Sequence, residues 1–252
     1  MGLWSKKLMK PVRLSEKALR IRGGKRKGNV RNMIDLAKAI RYAEKFVSKN
    51  KAIPVFNYIF IKDGEVISSD TYFVIKCEVG GKQEPQLINP KGTELLVEPE
   101  KYPDVHKFFQ TKGFTTSVTF YSDKGLRESF KKLAVIFDTC KKLTTKEELY
   151  PVFLKAKGNK LWIFSGEDEF IFFECSVAEF DGVPTSCAFN ADCLSKACKV
   201  IAEVNPRTVD MYFFKGSTVL IKMDSVQIYG CGIHHGKANW LVQKAEKYCE
   251  VE

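Results

Sequence analysis

Long apolar runs, histidines and paired cysteines are all scarce in this 252-residue chain. The longest apolar runs, such as Phe170-Ile171-Phe172-Phe173, fall far short of the roughly 20 residues that cross a bilayer. With no apolar h-region near the first residue, no secretory signal is expected. The eight cysteines (Cys77, Cys140, Cys175, Cys187, Cys193, Cys198, Cys231 and Cys249) form no C-x-x-C pair. They read as reduced core thiols, because free cysteine packs as a small hydrophobe, with a disulfide or metal role as the lesser alternative. Cys231 with His234 and His235 is the best metal candidate, yet the trio lacks the ligand spacing of a zinc site. The expectation is a soluble, cytoplasmic chain.

Signatures of catalysis are equally thin. The only histidines are His106, His234 and His235, and no Ser or Cys stands in a nucleophile context. The stretch "RGGKRKGN" lacks the preceding strand and the closing Lys-Ser/Thr of a phosphate loop. Glu167-Asp168-Glu169 falls in a strand-to-strand turn, where acids serve solvation, and the matching earlier turn has only Asp70. An enzyme is not expected, nor is a cofactor.

Acid is missing from one place in particular. Residues 1–31 hold eleven Lys and Arg against the single acid Glu16, so they carry +10 of the +11 net charge. Three readings of this leader, which includes Lys25, Arg26 and Lys27, stay open: a polyanion-binding arm, a solvated tail, or a membrane-surface contact through Leu3, Trp4 and Leu8. The first is favoured, since a concentrated positive charge draws nucleic acid.

What the chain has in abundance is self-similarity. "ISSDTYFVIKCEV" (67–79) is echoed by "FSGEDEFIFFECSV" (164–177), with Asp70, Cys77 and Val79 answering Asp168, Cys175 and Val177. Pro-Val-Phe precedes both, at 54–56 and 151–153, a period near 97 residues. That is too long for a solenoid unit and indicates a duplicated domain. Helical periodicity runs through 33–50, 126–142 and 189–204, and a shorter helix is expected from Pro103 to Gly113. Strand patterns fill the intervals, including 115–122. The expected division is a basic leader at 1–31, repeats at 32–122 and 123–236, and a tail at 237–252. The first repeat has room for only one clear strand after its second helix, so it is abbreviated or recruits strands from the leader.

The fold class expected is α+β, an antiparallel sheet with two helices per repeat on one face. The outer helix faces carry Lys38, Arg41 and Lys45, then Lys107, then Arg127 and Lys131, then Lys196 and Lys199. Since the body after residue 31 is almost neutral, this predicts acids gathered elsewhere and a field that attracts phosphates without reading bases.

"IPVFNYIFIKDGEVISSDTYFVIKCEV", "FSGEDEFIFFECSV" and "FNADCLSKACKVIAEV" with "VDMYFFKGSTVLIKMDSVQIYGCGI" resemble segments of DNA sliding clamps, over roughly residues 32–235. The resemblance implies a DNA clamp fold and a non-enzymatic processivity factor. It would encircle double-stranded DNA, with basic helices lining the hole, and tether a DNA polymerase, a clamp loader or other replication proteins. In that family six such domains make a ring, so two per chain imply a homotrimer. The setting would be the nucleoid or a viral replication site. The polycationic leader and the abbreviated repeat depart from the family's pattern. They suit the alternative of a clamp-fold protein that binds nucleic acid, or replication and transcription proteins, without closing a ring.

Overall fold

In a computed structural model the chain is described at residues 33–50, 52–90, 95–96, 98–121, 125–143, 151–165, 171–233 and 243. The basic leader, Asp168 with its acidic neighbours, His234, His235 and Cys249 lie outside these residues, as does the tail apart from Gln243.

Helix α1 (Leu36–Glu44) starts at Asp35, whose Oδ1 accepts from the Ala37 N–H at 2.7 Å and so satisfies a donor that the first turn leaves unpaired. It buries Ala39, Tyr42 and Ala43 on a meander of β1 (Ile59–Lys62), β2 (Glu65–Ser69) and β3 (Phe73–Glu78). Strands β4 (Gln86–Ile88), β5 (Leu95–Leu96) and β6 (Phe114–Tyr121) follow. Helix α2 (Leu126–Leu143) leads into a second meander of β7 (Pro151–Lys157), β8 (Lys160–Ser165) and β9 (Ile171–Ser176). After β10 (Glu179–Gly182) and β11 (Thr185–Asn190), helix α3 (Ala191–Val204) opens a third, of β12 (Thr208–Phe214), β13 (Thr218–Lys222) and β14 (Val226–Cys231). One helix and a three-stranded meander therefore occur three times among the described residues.

Among the described residues every strand pair is antiparallel. Ten strands form one sheet in the order β10-β6-β12-β13-β14-β3-β2-β1-β4-β5, and four form another, β11-β7-β8-β9. The strand before each of the last two helices crosses over: β6 lies beside β12, and β11 beside β7. This exchange ties the second and third meanders into one body, with α2 packed along α3.

The sequence echo is a structural one. A two-residue turn joins β1 to β2 at Asp63-Gly64, and another joins β7 to β8 at Gly158-Asn159. Asp63 and Gly64 have φ of 48° and 83°, and Gly158 has 57°, the positive values that tight hairpins demand. Val79 N–H donates to Gly64 O at 2.8 Å, and Val177 N–H to Asn159 O at 2.9 Å. Cys77 sits opposite Val66, the second residue of β2, and Cys175 opposite Leu161, the second residue of β8. Both thiols are buried.

The large sheet is apolar on both faces. One face, with Phe73, Ile75, Met211 and Ile228, joins the helices and the inner face of the small sheet in a single core. The other, with Ile67, Val74, Leu87 and Leu220, is covered by Tyr102, Val105 and Phe109. The helix expected from Pro103 to Gly113 is thus corrected to short 3-10 turns at Pro99–Lys101 and His106–Phe109, lying on the sheet face opposite α1. Its apolar spacing fits a strap rather than a helix: Tyr102 stacks on Phe60 at 5.0 Å and Phe108 on Tyr229 at 4.9 Å. The first repeat accordingly shows one α-helix among the described residues, while the antiparallel α+β class holds.

Candidate nucleic-acid interface

Helix α3 is the centre of the helical layer. Asn190 caps it, accepting from Asp192 N–H at 2.9 Å. Its apolar residues face the core, from Ala191, Cys193 and Leu194 through Ile201 and Ala202. The four- and three-residue steps of the remainder put Asp192, Lys196, Lys199 and Glu203 on one stripe. Neighbouring helices engage that stripe from both sides. From α1 and its C-cap, Arg41 lies 3.6 Å and Lys45 3.2 Å from the Glu203 carboxylate. From α2, Asp138 accepts from Lys199 at 2.8 Å and from Ser195 at 2.6 Å, and Lys141 reaches Asp192 at 2.7 Å.

Lys196 differs from its neighbours. Its side chain is only 25% exposed and its Nζ lies between Asp70 Oδ2 at 2.8 Å and Asp192 Oδ2 at 2.9 Å. Burial acts to lower its pKa, but the Asp70 and Asp192 carboxylates override it and hold the ammonium above the usual lysine range. Burial acts to raise Asp192, yet hydrogen bonds from Lys141 and Lys196 keep it below the usual carboxylate range. For Asp138, Lys199 and Ser195 outweigh burial in the same way. Lys196 therefore clamps α3 to the β2–β3 turn rather than offering a free charge.

The predicted contacts thus separate into groups. Lys38 and Arg127 are exposed, with no ion pair among the described residues. Arg41, Lys45, Lys131 and Lys199 lie on the same helical layer but are paired, Lys131 with Glu128 on its own helix at 2.7 Å. Lys107 is not brought to this layer: it sits on the 3-10 turn across the sheet, its Nζ 5.3 Å from the Phe108 ring centre. Lys25, Arg26 and Lys27 lie outside the described residues.

The expected segregation of acids is corrected as well. Asp70, Asp138, Asp192 and Glu203 stand among the helix cations, because those bases are long side chains that reach acids on neighbouring elements. The three helices still hold nine basic residues against five acidic ones, so the layer keeps a positive excess. Much of it lies on α2, where Lys132 and Lys142 are also exposed. The three- and four-residue spacing of the bases along 127–142 could have revealed these two. Among the described residues no cluster of His, Cys, Asp and Glu could hold a metal ion, and no helix is long and apolar enough to cross a membrane.

The chain matches no protein-family model and no curated protein. Solved structures do match. A putative DNA polymerase III beta subunit from Eubacterium rectale superposes with a TM-score of 0.63 at 12% identity, over 78% of this chain and 62% of that one. The DNA polymerase sliding clamp of Bacillus subtilis gives 0.59 at 14% identity, over 77% and 61%. The DNA polymerase III beta chain of Streptococcus pneumoniae gives 0.60 at 13%, over 88% and 69%. The chain has the fold of the DNA sliding clamps, and spans about three fifths of the length of the first two.

Proposed function

We propose that this clamp-fold chain is a non-enzymatic scaffold that tracks along duplex DNA and holds replication proteins, a polymerase among them, on the template. The observation that carries the reading is the helical layer, with α1, α3 and α2 side by side over the core that joins the two sheets and a surplus of cations among their residues. Its exposed bases sit on flexible stems, which suits phosphate contacts that do not fix a register. The basic leader would add an arm to the same polyanion.

A binding factor that does not close a ring is the second reading. It is favoured by a specific observation: the described residues contain three helix-plus-meander units, whereas two equal domains per chain, the basis for a homotrimer, would need four.

Anisotropy of a labelled duplex, titrated with salt, tests the DNA reading. Affinity should fall log-linearly with salt, and a chain truncated before residue 32 should show a shallower slope. An absence of binding at low salt removes the proposal. Retention on circular but not linear DNA after a high-salt wash separates a closed ring from an open one.

A further inference from the structure

The outer face of the small sheet is closed, and neither packed core of the described residues closes it. Ala188 on β11 stands opposite Phe153 on β7, and Phe153 opposite Phe164 on β8. Alternation along each strand turns this row away from Val152, Leu154 and Ile163, which belong to the core beneath the helices. All three residues of the row are 0% exposed, and the two rings lie 6.0 Å apart. Zero exposure requires atoms stacked on the face. Yet the row belongs neither to the core that joins the two sheets nor to the one beneath the Tyr102–Phe109 strap. Trp162, in the flanking row of the same face, is buried as well. Its Nε1 donates to Glu174 at 3.1 Å, and Lys160 reaches the same carboxylate at 3.1 Å.

The chain itself runs to this face. After β14, Gly232 N–H donates to Ser217 O at 2.6 Å and Ile233 N–H to Ala188 O at 2.7 Å. The passage is narrow: a Cβ on Gly232 would stand 2.7 Å from the Ala188 carbonyl oxygen. The residues that follow Ile233 therefore start beside Ala188, the first member of the buried row. Their sequence carries an apolar stripe at helical spacing. Ala238, Leu241, Val242, Ala245, Tyr248 and Cys249 fall within an arc of about 120° on a helix of 3.6 residues per turn. Asn239, Gln243, Glu246, Lys247 and Glu250 fall outside that arc. Gln243 is helical and exposed, as the stripe requires of it. A helix over 238–249 is about 18 Å long, enough to cross four strands that together span about 14 Å.

We propose that residues 238–249 form an amphipathic helix that seals the outer face of the small sheet, with Leu241, Ala245 and Tyr248 over the Ala188–Phe153–Phe164 row. The second meander then lies between two helical layers, α2 with α3 on one side and the tail on the other. The tail acts as a cover: lifting it uncovers aromatic side chains without breaking a strand pair. The assignment stands apart from the DNA reading, and loss of DNA affinity would leave it untouched.

Alkylation of Cys249 and photocross-linking of the full chain test the docking. In the native chain Cys249 should react about tenfold more slowly than the exposed Cys231, since its reaction waits on local opening. Leu241→Asp combined with Tyr248→Asp should bring its rate up to that of Cys231. A benzophenone introduced as Ala245→benzoylphenylalanine should cross-link within one chain, to peptides of 151–165 or 185–190. A native Cys249 as reactive as Cys231 overturns the proposal, as does a slow rate that the double variant leaves unmoved. So does a cross-link to any other segment, which would give the face a different cover, and so does the absence of a cross-link. A cross-link between two chains overturns it too, because a second copy would then be the occupant.

Discussion

Lys196 Nζ and Asp70 Oδ2 are 2.8 Å apart although 126 residues separate them in the chain. Asp70 serves two parts of the fold at once: its Oδ1 accepts from Tyr72 and Phe73 N–H at 3.2 and 2.8 Å, shaping the β2–β3 turn, while Oδ2 takes the lysine of α3. One carboxylate thus fastens the first unit to the third.

Removing that fastening costs stability. Lys196→Met leaves Asp70, whose side chain is 8% exposed, without its cation, and an unfolding midpoint in urea should report a loss of about 2–3 kcal/mol. Asp70→Asn should cost a similar amount, and the double variant less than the sum of the two. Additive losses would show that the pair does not couple.

The same network sets the pH limits. Asp138 and Asp192 titrate below their ordinary range, so the unfolded chain takes up their protons first. Their contribution is complete above about pH 4 and drains away as pH falls through the lower folded values. Lys196 acts in the opposite sense. Its raised pKa gives stability that is complete below about pH 10 and lost as pH climbs through the folded value. Lys196→Met should flatten the alkaline limb of a midpoint-against-pH profile.

Charge reversal on the two sheet faces should have unequal effects on DNA. Lys38→Glu with Lys132→Glu should weaken duplex binding and lower the salt slope by about 2. Lys107→Glu, across the sheet, should leave both near wild type. Equal losses from the two would refute the helical layer as the contact surface.

Tyr102 offers a test in the opposite direction. Its hydroxyl is buried with no hydrogen-bond partner among the described residues, and burial pushes its pKa up. Tyr102→Phe keeps the stack on Phe60 and sheds the unpaired oxygen, so the unfolding midpoint should hold or rise by up to about 1 kcal/mol. Tyr102→Ala should lose about 3–5 kcal/mol with the ring.

Thiol reactivity should follow burial. Desolvation pushes Cys175 and Cys187 up to about 12, which starves them of thiolate at neutral pH. Among the described cysteines Cys231 alone is exposed, and mass-mapped alkylation of the native chain should mark it before the other six.

The sequence disclosed what is local and what is repeated. Asp63-Gly64 and Gly158-Asn159 announce hairpins, the apolar spacing of 126–142 and 189–204 announces helices, and the repeated Cys and Val announce equivalent strands. The Tyr102–Phe109 segment misled because its three-residue apolar spacing suits a helix as well as a strap across a sheet; its partners Phe60 and Tyr229 are remote in sequence. The charges misled for a related reason. Lys196 and Lys199 look free on a helical projection, and the acids that hold them, Asp70 and Asp138, belong to other elements.

The pairing of β3 with β14 has a mechanical meaning. Gly230 faces Phe73 there so closely that a Cβ would come within 2.5 Å of the ring, and the ring in turn packs edge-on against Phe189 at 6.2 Å. The seam between the first and third units is therefore a weld and not a hinge: one continuous hydrogen-bonded sheet, locked by a side chain that admits no spacer. Bending strain applied across the first and third units would pass straight through this point and be carried by the strand ladder instead of being absorbed by rotation.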